Sequence, residues 1–121
     1  MTEIQNPGVA NPPDSPQPVL VMDAGGAIVE WTPEAEAIFG WPREEAVGRQ
    51  LSTVIIPERH RAGHEAGLKR FLSDGQGKLL DRAIEIVALH RDGHEFDIEV
   101  RIAAERSEGG YRFPATIRRL P

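Results

Sequence analysis

The sequence predicts an α+β domain, an antiparallel sheet with helices covering one of its faces. Three observations lead there. Two short apolar runs, residues 19–22 and 27–31, flank Asp23-Ala24-Gly25-Gly26 and read as a hairpin. Residues 33–73 then carry helix start and stop signals. From residue 79 onward the apolar period drops to two, the mark of half-buried strands.

In chain order, residues 1–17 hold four of the ten prolines and no apolar periodicity, so they offer no packing face. They read as a disordered leader, with one domain at 18–121. After the first hairpin, Thr32 stands as N-cap with Pro33 at N1. Ala35, Ile38 and Phe39 give that helix its apolar stripe, and Gly40 stops it. Residues 43–47 make another helical turn, ended by Gly48. Residues 52–56 are short and apolar, and Pro57 breaks them. Residues 58–73 read as the longest helix, with Lys69 and Arg70 suited to the negative end of its dipole.

The strands follow. Ile84, Ile86 and Ala88 share one face of the run 79–91. Arg91-Asp92-Gly93-His94 is a hairpin turn. Phe96, Ile98, Val100 and Ile102 then alternate with Glu95, Asp97, Glu99 and Arg101, which places the second set outward. Gly109-Gly110 is another turn, and Tyr111, Phe113, Ala115 and Ile117 line the last strand.

Composition narrows the function classes. A chain of 121 residues is one domain's length. It has no Cys, which excludes disulfides, Cys-ligated zinc, iron–sulfur clusters and thiol chemistry. Asp and Glu number 19 against 14 Lys and Arg, so the net charge of -5 gives no electrostatic reason to bind nucleic acid or an anionic membrane. No apolar run approaches the roughly 20 residues of a membrane span. No basic-then-apolar signal peptide opens the chain. A cytoplasmic domain is expected. No nucleophile–base pair stands out, and Gly25-Gly26 lacks the context of a phosphate loop, so no enzyme activity is assigned.

Taken in order, Trp31-Thr32-Pro33-Glu34-Ala35-Glu36, Phe39-Gly40-Trp41, Glu45, Gly48-Arg49, Ile56-Pro57-Glu58 and Arg91-Asp92-Gly93 resemble the sensory PAS domains of bacterial signalling proteins. The likeness covers roughly residues 18–120. It implies a PAS fold, with a five-stranded antiparallel sheet, helices on one face and the long helix facing a ligand cavity. It also implies a signal-transduction module, such as those of two-component systems. Such a module binds a small ligand or partner, pairs as a homodimer and relays its state to an effector domain or partner signalling protein. A purely structural dimerisation module with a filled core is the plainer alternative.

The long helix carries His60, Gly63, His64 and Gly67. His64 lies in phase with Leu68, Phe71 and Leu72, so its ring is expected to face the cavity. Two interior glycines cost about 1 kcal/mol each relative to Ala, and suggest a close neighbour such as a flat ligand or another helix. Leu68 and Phe71 on the helix, and Ile84, Ile86 and Ile98 on the strands, are expected to line the cavity with it. Residues 57–65 are also similar to the stretch that bears the axial His in haem-binding PAS domains of oxygen-sensing kinases. That likeness implies His64 as a ligand to haem iron and Arg70 as a partner of a haem propionate. It departs at Ile84, where those oxygen sensors carry an Arg. Trp31 and Trp41 are placed over the helix–sheet edge, with flavin stacking as the alternative. His90 and His94 are spaced i, i+4 about the hairpin turn and read as solvated, with no carboxylate converging on them.

Overall fold

The computed structural model describes residues 18–74 and 82–121. The expected leader, residues 1–17, lies outside them, as do residues 75–81. Strands β1 (Leu20–Asp23) and β2 (Ile28–Trp31) form the first hairpin. Asp23 Oδ1 closes its turn by accepting from the N–H groups of Gly25 at 2.9 Å and Ala27 at 3.0 Å. Helix α1 (Pro33–Phe39) starts as its sequence dictates. Thr32 Oγ1 accepts from Ala35 N–H at 3.3 Å and donates to Val19 O at 2.7 Å, which ties the cap to the sheet. Gly40 ends the helix at φ 83°. A Cβ there would lie 2.5 Å from His90 Cε1, so both the backbone and the space call for glycine.

Helices α2 (Arg43–Ala46), α3 (Leu51–Ile55) and α4 (Glu58–Asp74) follow. The remaining strands are β3 (Ala83–Leu89), β4 (Glu95–Ile102), β5 (Glu105–Ser107) and β6 (Gly110–Arg119). The five longer strands make the expected antiparallel sheet, in the order β2-β1-β6-β4-β3. The three-residue β5 is a sixth strand that alternation does not announce. It folds onto the start of β6, with Glu105 opposite Arg112.

Register explains the faces. Ile98 lies between Ile86 of β3 and Arg119 of β6, and Val100 between Ile84 and Ile117. The inward set expected for β4 is therefore the set that meets the helices. Ile98 is fully buried, and Phe96 and Ile102 at the two ends are half-buried. The core runs from Leu20, Ile28 and Phe39 through Ile98 to Phe71 and Phe113. Trp31, Phe39 and Phe96 form an aromatic chain at one end, with centroids 5.7 and 5.9 Å apart. On the opposite face, Arg118 meets Glu99 at 2.8 Å and Arg112 meets Glu30 at 3.4 Å.

Truncating Ile98 removes a fully buried side chain from the middle of the sheet. Ile98→Ala is expected to cost about 2–4 kcal/mol in denaturant unfolding. Glu99→Ala, which loses a solvent-screened ion pair, is expected to cost less than about 1 kcal/mol. Equal costs would reverse the face assignment.

Candidate functional site

Helix α4 is held at its two ends by different chemistry. Near its N-terminus Arg61 Nε donates to the carbonyls of Ser52 at 2.8 Å and Ile56 at 2.9 Å. The buried Ser52 hydroxyl donates to Glu65 Oε2 at 3.1 Å, a second link between α3 and α4. Arg59 adds two bonds to Glu95 at the start of β4, at 2.7 and 2.8 Å. Those bonds hold the Glu95 carboxyl below its usual range. Toward the C-terminus Phe71 is buried, with its ring edge-on to Tyr111 at 4.9 Å and to Phe113 at 5.4 Å.

Between these anchors lies the stretch from His64 to Leu68. Arg61, His64, Leu68 and Phe71 share the inward stripe, in the 3.6-residue period expected of the helix. His60 and Arg70 are exposed, and Leu72, expected in the stripe, is 44% exposed. The His64 ring is half-buried. Its Nδ1 is shut off from solvent and has no hydrogen-bond partner among the described residues. Burial pushes the His64 pKa down, against a weaker pull from Glu65, so the imidazole is neutral at physiological pH. A buried ring nitrogen without a partner is a cost to the fold, and it is where a ligand finds a ready polar contact.

The remaining expected site residues divide. Phe71 and Ile98 belong to the core, and Leu68, Ile84 and Ile86 pack against it half-buried. All five thus join one apolar cluster, while Arg70 stands outside it. Gly63 and Gly67 do not meet the expected close neighbour. Both are exposed, and a Cβ built on either meets nothing within 4 Å. Trp31 is buried, and its Nε1 donates to Trp41 O at 2.9 Å. The guanidinium groups of Arg49 and Arg91 lie 4.9 and 4.8 Å from the Trp41 ring centroid. The two tryptophans therefore close the helix–sheet edge. The sequence reading also misses a carboxylate. Asp92 does converge on His90 and His94, because the turn folds it back between them. The signal was the HRDGH run itself, in which a three-residue loop sets its flanking residues opposite each other.

The His64 shift makes a pH prediction. Its folded pKa lies below the unfolded value of about 6.5, so the unfolded chain binds the extra proton. The stability from neutral burial is full above about pH 6.5 and is lost as pH falls through the lowered folded pKa. In urea melts across that window, His64→Gln is expected to flatten this loss and His60→Gln to leave it unchanged.

Comparison with known proteins agrees with this architecture. The chain is 39% identical over 100 residues to an uncharacterised protein of Azorhizobium caulinodans, a match covering 83% of this chain and 14% of that protein. It is 27% identical over 105 residues to the sensor protein FixL of Bradyrhizobium diazoefficiens, covering 87% of this chain and 21% of that one. The chain thus spans a small part of the curated relatives it matches. The crystal structure of a PAS domain from Colwellia psychrerythraea superposes with a TM-score of 0.65 at 22% identity, over 84% of this chain and 83% of that one. PAS domains are generally sensory, non-catalytic modules of signalling proteins. They commonly dimerise and sit beside effector domains. No helix among the described residues is long and apolar enough to cross a membrane. The family's PAS fold matches residues 9–119, and the chain belongs to the PAS family.

Proposed function

We propose that this domain is a cytoplasmic sensor that binds a small, largely apolar molecule between the middle of α4 and strands β3 and β4. The observation that carries the reading is His64 Nδ1, a buried polar atom with no partner on the inward stripe of a helix tied down at both ends. Leu68, Phe71, Ile84, Ile86 and Ile98, which join one apolar cluster, would supply the apolar wall of the site. The domain works as a homodimer through the outer sheet face. A ligand against α4 biases how that face pairs, and so reports to an effector domain or partner signalling protein. Bacterial two-component signalling is the setting that the family suggests.

Haem is a second reading, favoured by the same atom. A neutral imidazole is the donor that haem iron takes, and Nδ1 of the half-buried His64 has no partner among the described residues to displace. His64 would hold the iron, and the exposed Arg70, fewer than two turns further along α4, would meet a propionate. Bound haem would supply an iron centre for diatomic gases. Ile84, where the oxygen sensors that the helix resembles carry an Arg, is apolar and would donate no hydrogen bond to a bound gas.

Mass spectrometry of small molecules co-purifying with the protein, together with an absorbance spectrum, tests both readings. A stoichiometric organic ligand whose retention His64→Ala and Ile98→Ala reduce supports the first. A Soret band that His64→Ala abolishes or shifts and His60→Ala preserves supports the second, with Arg70→Ala weakening haem retention. A colourless protein that holds no ligand, and that neither added haem nor a fatty or aromatic ligand library stabilises against heat, rejects both in favour of a filled structural module.

A further inference from the structure

The β3–β4 hairpin holds a cluster of chemistry-bearing side chains that the α4 site does not use. Leu89 pairs with Glu95, so His90 and His94 face each other across the turn. His90 N–H donates to His94 O, and Gly93 N–H to His90 O, both at 2.9 Å. Gly93, at φ 99°, lets the three-residue loop close. The two imidazole rings stack, with centroids 4.7 Å apart and planes 21° from parallel. Asp92 Oδ1 lies 2.5 Å from His94 Nδ1 and 3.2 Å from His90 Nδ1. One ligand atom from each of the three residues lies within 4.8 Å of the others.

We propose that His90, Asp92 and His94 bind one divalent transition-metal ion of the zinc type. The set is two borderline imidazole nitrogens and one hard carboxylate oxygen. They suit Zn2+ and its neighbours Co2+, Ni2+ and Cu2+, whereas Mg2+ and Ca2+ take shells of oxygen. Three protein ligands leave room for water in the remaining position. With metal–ligand distances near 2.1 Å, neighbouring ligand atoms in a tetrahedral shell stand about 3.4 Å apart. His90 Nδ1 and Asp92 Oδ1 stand close to that spacing, at 3.2 Å, and the bond that His90 Nδ1 accepts from Asp92 N–H, also 3.2 Å, has to give way to the ion. The His94–Asp92 contact has to widen by about 1 Å, from 2.5 Å toward the same tetrahedral spacing. The His94 side chain is 47% exposed and has the space to move.

The turn is also held in place before any ion arrives. Arg91 N–H donates to Phe39 O at 2.9 Å, and the Arg91 guanidinium bonds Glu45 at 2.5 Å. The His90 ring lies against the backbone of Gly40. This anchoring fixes the backbone of the turn, so binding requires side-chain rotation alone: the His94 ring turns out of its stack on His90 until both in-plane lone pairs meet the ion. The Arg91 charge, adjacent in sequence, is engaged with Glu45 and the Trp41 ring.

Calorimetric titration of the full chain with Zn2+, and visible spectroscopy with Co2+, test the proposal. The expected result is one ion per chain and Co2+ d–d absorption bands. His94→Ala and Asp92→Asn are expected to weaken binding by about tenfold or more, at least what losing an outer-shell partner costs. His60→Ala is expected to bind as the parent does. His94→Cys, which supplies a different ligand atom, is expected to restore Zn2+ binding, and this separates ligand loss from misfolding. No binding by the parent chain at millimolar Zn2+ would overturn the proposal. So would affinity unchanged in His94→Ala and Asp92→Asn, or failure of His94→Cys to bind while circular dichroism shows it folded.

Discussion

The suspension of α4 is the constraint from which the candidate ligand site follows. A helix lying flat on a sheet through a continuous apolar face leaves no space beneath it. This one is fixed by guanidinium-to-carbonyl bonds at one end and by an aromatic edge contact at the other. The polar end is directional and short-ranged, so it sets the height and angle at which α4 leaves α3. The aromatic end is broad and apolar, and it takes up whatever distance remains. The residues between, His64 and Leu68, are neither fully packed nor fully solvated. Ile84 and Ile86, on the edge strand, are half-buried as well.

Much of this was legible in the sequence, and where it was not the reason is physical. Phe96, Ile98, Val100 and Ile102 were readable because a strand with one wet face must alternate, and the pattern needs no knowledge of neighbours. Thr32, Pro33 and Gly40 were readable because capping is local chemistry. His64 was readable as inward-facing by its phase with Leu68 and Phe71. The glycines were misleading for the same reason. A missing side chain says that a backbone is accessible, not what approaches it, and at Gly63 and Gly67 it is open space. β5 escaped notice because its three residues pair through backbone groups and show no apolar alternation. Leu72 followed the helical period at the point where α4 runs past the core.

The two places where chemistry gathers share a strand end. His94 of the turn cluster is followed by Glu95, which holds Arg59 of α4. The aromatic chain of Trp31, Phe39 and Phe96 continues to the His94 ring, 5.5 Å from Phe96. The hairpin tip is thus in contact with the helix termini around it, unlike an isolated loop in solvent. Such a tip has fewer conformations open to it, and an ion or a partner that orders it has less to overcome.

The position of β6 has a consequence for how the domain comes into being. The last strand of the chain is also the middle of the sheet, hydrogen-bonded to β1, β4 and β5. Until it is in place, the N-terminal hairpin and the β3–β4 hairpin are two ribbons not joined in one sheet. A two-stranded ribbon is marginal in water on its own. The pairing of β1 with β6 spans nearly the whole described chain, so the entropy of closing that loop falls before the contacts that reward it. On the ribosome, where synthesis runs from the N-terminus, the β1–β2 hairpin must wait for almost every other residue of the domain. The sheet is therefore completed late, and a nascent chain halted before β6 leaves the edges of β1 and β4 without their partner.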